Sequence, residues 1–228
     1  MYKLHFVSGR LLIIDLHLNG KIVVIVGAGN EALKRVKLLE NETCQIIVIG
    51  EKPSLEIRRL ARTKKLTLKK TKLTSSFFLK KYKPFLVIAS TTDHLLNQNI
   101  VQTARKMKIL AYASDSPESS DISYLSLIDI KKTIKVAIST GGSSPIMAKK
   151  IKSKTEICLQ KNISNQDIQL IKIQKFARSE SQKFITTQAE RKKFLYALMN
   201  DKRVKELLKD KKYKAIQTVI KKMVKDWK

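Results

Sequence analysis

Apolar residues fall in short, dense runs along the first half of the chain. Lys21–Val26 reads Lys-Ile-Val-Val-Ile-Val, and Gln45–Ile49 and Phe85–Ala89 are similar β-branched or aliphatic runs. Runs without polar alternation predict strands covered on both faces, as in a parallel sheet. Leu12–Leu16, Leu66–Leu68 and Ile109–Ala113 predict further short strands. Between them, Asn30–Glu40 carries apolar residues at 32, 33, 36, 38 and 39, a helical spacing. Leu55–Lys64 and Thr74–Lys81 are predicted helices, and Asp93 is placed to cap another that runs to about Met107. Strands alternating with helices imply a parallel sheet with crossover connections.

The rhythm changes after Asp115. Tyr124–Ile130 and Ile134–Ser139 flank the polar Lys131-Lys132-Thr133, which predicts a hairpin. From Ser144 onward the pattern is helical, with polar breaks near 161–165 and at Asn200-Asp201.

One loop changes the picture from fold to chemistry. Gly27-x-Gly29-x-x-Ala32 follows the Lys21–Val26 strand and opens a helix, the context a dinucleotide fingerprint requires. The first glycine permits the tight turn and the second lets backbone approach a pyrophosphate. Ala32 is small enough for close helix–strand packing. Glu51 follows the second strand at about the right distance to accept a hydrogen bond from the ribose; its charge would repel a 2′-phosphate and so favours NAD over NADP, with the adjacent Lys52 acting against that preference. Gly27, Gly29, Asn30, Glu31, Glu51 and Lys52 are therefore the expected cofactor residues. Ser90 and Thr91 join them, because they end a strand where the ligand crevice should lie. A second polar loop, Ser139-Thr-Gly-Gly-Ser-Ser-Pro145, leaves the hairpin. Ser144 can cap the helix that follows and Pro145 suits its first turn.

Composition narrows the classes further. The chain has 228 residues, 43% of them hydrophobic, so a sizeable core is expected. No apolar run reaches the roughly 18 residues of a membrane span. Met1–His5 lacks the layout of a secretory signal, so a cytoplasmic protein is expected. Cys44 and Cys158 stand apart, and His5, His17 and His94 have no ligand spacing, so no metal site is expected. Lys+Arg 47 against Asp+Glu 19 leaves +28, spread along the whole chain. That suits an acidic partner such as nucleic acid, an anionic membrane or a polycarboxylate, or else solvated lysine-rich faces. Nucleic acid ranks last, because only 6% of residues are aromatic and the lone Trp227 is near the end.

Five strings, taken in order, resemble the precorrin-2 dehydrogenase / sirohydrochlorin ferrochelatase family, the dehydrogenase module of siroheme synthase. They are Leu12–Leu16 with Gly20-Lys21, Val26–Leu39, Val87–Asp93 with Leu96-Asn97, Ser114–Pro117, and Ile138–Ala148. The resemblance implies a Rossmann-like parallel sheet domain over 1–113, a hairpin dimerisation region over 114–150 and a helical domain over 151–228. It implies a homodimer that oxidises precorrin-2 to sirohydrochlorin with NAD⁺, and Fe²⁺ as a further substrate in members that also make siroheme. Asp115 matches the family's catalytic aspartate, and its place after a sheet strand suits a group that accepts a proton as hydride leaves. Thr140, Gly141 and Ser143 are then candidates for the substrate side. Tyr112 and Leu125 depart from the family pattern, where Asn and Pro are usual. The competing reading is a regulatory NAD-binding module without catalysis, which would need neither Asp115-Ser-Pro nor the hairpin and Gly-Gly loop.

Overall fold

The computed structural model describes residues 12–227, so the reading of Met1–His5 lies outside the described residues. The chain divides into two compact units, Leu12–Tyr124 and one that includes Leu125 onward.

The first unit is a five-stranded parallel sheet in the order β3-β2-β1-β4-β5. Its strands are β1 (Ile22–Val26), β2 (Gln45–Ile49), β3 (Thr67–Lys69), β4 (Leu86–Ala89) and β5 (Leu110–Ala113). Its helices are α1 (Asn30–Leu39), α2 (Leu55–Arg62), α3 (Phe78–Tyr82) and α4 (His94–Lys106). Strand residues alternate between two covers, as the unbroken apolar runs require. Val23 and Ile25 pack with Ala32, Val36, Ile57 and Leu60 of α1 and α2 on one face. Val24 and Val26 pack with Leu79, Ile100 and Ala104 of α3 and α4 on the other. Burying each such side chain stabilises the fold by about 1.5–3 kcal/mol, which is why β-branched runs settle at the centre of the sheet. Chain direction reverses its walk between β1 and β4, the switch point where ligands bind in such sheets.

The second unit contains an antiparallel hairpin, β6 (Ser126–Ile130) and β7 (Ile134–Ile138), with Ile130 paired to Ile134. Five helices follow: α5 (Pro145–Asn162), α6 (Asn165–Phe184), α7 (Gln188–Asn200), α8 (Lys202–Lys209) and α9 (Tyr213–Lys225). Ile128 and Ile130 pack on Ile168. Phe194, Leu198, Val204, Ile216 and Ile220 form a separate helical core.

Three expectations differ. Leu12–Leu16 is not a strand: among the described residues the sheet ends at β3 and β5 and offers this segment no ladder to join, and Leu12, Ile13 and Ile14 are exposed. The helix expected over Thr74–Lys81 is only α3, because no side chain caps an earlier start. Two breaks carried no glycine or proline signal. One is at Ile185–Thr187, where Thr187 caps α7 through Glu190 N, and the other is at Asp210–Lys212.

Helix ends and the β6–β7 turn show a further local feature. Lys64, Lys83, Lys108, Lys131, Lys132 and Lys211 all have left-handed backbones, with φ between 42° and 58°. At Lys64, Lys108 and Lys211 the amides complete a Schellman ending, as in Lys65 N to Leu60 O (3.0 Å) and Ile109 N to Ala104 O (2.9 Å). Glycine is the usual occupant there, because a Cβ in this conformation costs about 1–2 kcal/mol.

Candidate active site at the carboxyl edge of the sheet

Because β1, β2, β4 and β5 are parallel, the residues that follow each of them gather on one edge. Gly27, Glu51, Ser90 and Asp115 are all brought there. The loop after β1 is pinned by Gly27 N to Ile49 O (2.8 Å) and crossed by Ser90 N to Val26 O (2.8 Å). Gly27 has φ +108°, and a Cβ there would lie 2.4 Å from the Ser90 carbonyl oxygen. Only glycine lets the β1 loop and the end of β4 approach this closely.

The loop fits a dinucleotide. Gly29 is the N-cap of α1 and has no side chain to bond the first-turn amides. Ser54 and Asp93, by contrast, cap α2 and α4. A Cβ built on Gly29 would meet nothing within 4 Å. Uncapped amides, the positive end of the helix dipole and open space beside them are what a pyrophosphate needs. Glu31 turns away, its carboxylate paired with Lys34 on the helix surface. Asn30, Glu51 and Lys52 are exposed. A cavity of about 450 Å³ adjoins the ends of β2 and β3, lined in part by Ile49, Lys69, Leu73, Phe78 and Tyr82.

The hydroxyls after β4 are already engaged. Ser90 Oγ donates to Val26 O (3.0 Å), and Thr91 Oγ1 donates to Asn97 Oδ1 (2.7 Å). Asn97 is fully buried on α4. Its amide nitrogen donates both to Thr91 O (3.0 Å) and to Asp115 Oδ2 (3.0 Å). His94, the first residue of α4, places Nδ1 2.5 Å from the same Oδ2. Asp115 Oδ1 has no accessible surface and no partner. Burial works to raise the pKa of this carboxyl, but the hydrogen bonds from Asn97 and His94 outweigh it and hold the group below its usual range. Asp115 is thus an ionised, half-enclosed carboxylate, held through Oδ2, with Oδ1 enclosed and without a partner.

Asn97 and His94 complete a cluster whose chemistry was hard to assign from sequence. A polar Asn between Leu96 and Ile100 on a helical core face was the available signal for Asn97. His94 gave none, because its partner is 21 residues away. Asp121 is used structurally: Arg105 Nε donates to one oxygen (2.8 Å) and Ala111 N to the other (3.0 Å). Tyr112 is explained by packing. It takes a hydrogen bond from Arg35 Nη2 (3.0 Å) and meets Tyr124 edge to face at 4.8 Å. Burial pushes the Tyr124 hydroxyl up to about 12.

Thr140, Gly141 and Ser143 lie in the second unit. Their loop closes on itself, with Ser144 N to Thr140 Oγ1 at 3.2 Å and Ser143 N to Thr140 O at 3.1 Å. Gly141 and Gly142 both have positive φ, and Ser144 Oγ caps α5 by accepting from Met147 N (3.2 Å). Among the described residues, no group of three or more His, Cys, Asp or Glu could hold a metal, and no helix is long and apolar enough to cross a membrane.

A family model described as "Putative NAD(P)-binding" matches residues 14–126. With the fit of the glycine loop, this identifies the first unit as an NAD-binding domain. A siroheme synthase of Buchnera aphidicola is 28% identical over 211 residues, covering 92% of this chain and 43% of that protein. The siroheme synthase of Nitrosococcus oceani is 29% identical over 147 residues, 64% of this chain and 31% of its own. The chain therefore spans less than half the length of these relatives. Among solved structures, "SirC, precorrin-2 dehydrogenase" shares the fold, with a TM-score of 0.65 and 21% identity over 95% of this chain and 100% of that one.

Proposed function

This chain belongs to the precorrin-2 dehydrogenase family, and from that premise we propose that it oxidises precorrin-2 to sirohydrochlorin, with NAD⁺ as the acceptor. The observation that carries the reading is the ionised Asp115 carboxylate, held by Asn97 and His94 on the same sheet edge as the glycine loop. NAD⁺ when bound supplies the hydride acceptor. The macrocycle also gives up a proton, and the Asp115 carboxylate is the base that takes it. Backbone at Gly27, Gly29, Asn30 and Glu31 would hold the pyrophosphate, with Glu51 and Lys52 at the ribose and Ser90 and Thr91 shaping the crevice. An exposed Glu51 disfavours a 2′-phosphate, which favours NAD over NADP. The +28 charge suits a substrate bearing many carboxylates, and Thr140, Gly141 and Ser143 are candidates to meet one of them.

The proposal extends to a homodimer formed through the hairpin region. Its support is that Leu127 of the hairpin and Ile146, Met147, Ile151 and Ile157 of α5 are exposed, while Ala148 alone of α5 is buried. Such an apolar face suits a second copy of the chain.

One set of measurements tests this reading. Purified protein is given precorrin-2 with NAD⁺ or NADP⁺, and its mass is read by sedimentation. Equimolar NADH and sirohydrochlorin, faster turnover with NAD⁺ and a dimer mass are expected. Folded protein that binds NAD⁺ but leaves precorrin-2 untouched would sink the reading and leave a regulatory NAD-binding module. A parallel run with sirohydrochlorin and Fe²⁺ decides whether the same protein inserts iron.

A further inference from the structure

We infer that His94 is a positioning residue for the proposed dehydrogenation. With Asn97 it grips Oδ2 of Asp115 and fixes the orientation of the carboxylate that accepts the substrate proton. The inference rests on the reading that Asp115 is the base.

The geometry assigns the donors. An ionised carboxylate only accepts, so the Nδ1–H of His94 donates to Oδ2 at 2.5 Å, beside the Asn97 amide at 3.0 Å. The orientation of the Asn97 amide is set from behind. Its oxygen accepts from Thr91 Oγ1 (2.7 Å) and its nitrogen also donates to the Thr91 carbonyl (3.0 Å). The Asn97 arm is therefore rigid and buried. The His94 arm comes from the opposite environment, with 74% of its side chain exposed against 14% for Asp115.

That contrast argues against a packing role. An exposed imidazole buries little apolar surface, and Asp115 is the only partner found for the His94 side chain among the described residues. Its place is set by the helix start: Asp93 caps α4 by accepting from Leu96 N (2.9 Å), which puts His94 at the first helical position. Two donors on one oxygen prevent the carboxylate from turning. Without His94, a single amide would hold Oδ2, and the carboxylate could turn out of the orientation that accepts the proton.

In the step itself, two hydrogens leave the macrocycle. One would go with its electron pair to the nicotinamide, and the other as a proton to the Asp115 carboxylate. His94 keeps its own proton and acts only on the direction of the carboxylate. It therefore affects the rate of proton transfer and not substrate affinity.

The test uses His94→Ala and His94→Asn in the full chain, with precorrin-2 and NAD⁺. Asn carries an amide donor near the place of Nδ1. His94→Ala is expected to lower kcat about tenfold or more, roughly the worth of one hydrogen bond to a charged group. KM for both substrates and the melting temperature should stay at wild-type values. His94→Asn should recover most of the rate. A kcat for His94→Ala within twofold of wild type would overturn the inference, as would equal losses in both variants or a loss matched by a fall in melting temperature. Wild-type protein inert towards precorrin-2 would overturn the parent reading, whereas active wild type with an unaffected His94→Ala would overturn only the role of His94.

Discussion

Asp115→Ala is expected to lose about 10²–10⁴-fold in dehydrogenation while binding NAD as tightly as wild type, the scale of removing a positioned general base. The carboxylate lies at the end of β5, while the cofactor amides lie at the start of α1, so one can be removed without disturbing the other. The fold should not suffer, because alanine leaves no charge enclosed. Both donors to Oδ2 keep other outlets, Asn97 to Thr91 O and His94 to solvent. The sign of the pKa shift adds a second readout. A carboxyl held below its usual value of about 3.9 is already ionised at neutral pH. The acid limb of kcat/KM should therefore not fall between pH 6 and 8 on account of Asp115. Near-normal turnover in the variant would move the base elsewhere, whatever the cofactor affinity.

Gly27→Ala should do the reverse and damage the fold before the chemistry. Its Cβ would sit 2.4 Å from Ser90 O and 2.8 Å from Ser90 C, both backbone atoms at the end of β4. Relief would require parting β1 from β4 at the hydrogen bond from Ser90 N to Val26 O. The φ of +108° adds strain of its own. Overpacking and a disfavoured backbone together predict a loss on the order of 3–5 kcal/mol. That is read as a lower urea midpoint, with NAD binding lost alongside. Gly29→Ala is the control, since φ is ordinary and the space is open. It should keep its midpoint while losing NAD affinity, because its methyl group takes ground the pyrophosphate needs. A Gly27→Ala protein with an unchanged midpoint would contradict the packing argument.

What could be read from the chain alone follows the range of the interactions. β1, β2 and β4 were legible because burial on both faces demands apolar residues one after another. The glycine loop was legible because its turn, its close approach and its helix start lie within six residues. The His94–Asn97–Asp115 cluster was not, since it joins the start of α4 to the end of β5 across 18 to 21 residues. The Arg35–Tyr112 bond spans 77 residues and is equally silent in a local pattern. Leu12–Leu16 misled for the opposite reason. Its composition favours a strand, but a strand exists only with a neighbour, and none is supplied among the described residues.

The left-handed lysines carry a thermodynamic consequence for the whole molecule. With six of them at about 1 kcal/mol or more each, the lost stability is comparable to the 5–15 kcal/mol that holds an ordinary domain folded. That cost is offset elsewhere in the fold, and anything that binds only the native form adds to the net stability. Cofactor at about 100 times its dissociation constant would add about 2.7 kcal/mol by mass action. In a cell that triages unfolded chains, the amount of this protein would then follow the supply of dinucleotide. The left-handed lysines would then bear on how much of the protein persists, and not on its chemistry.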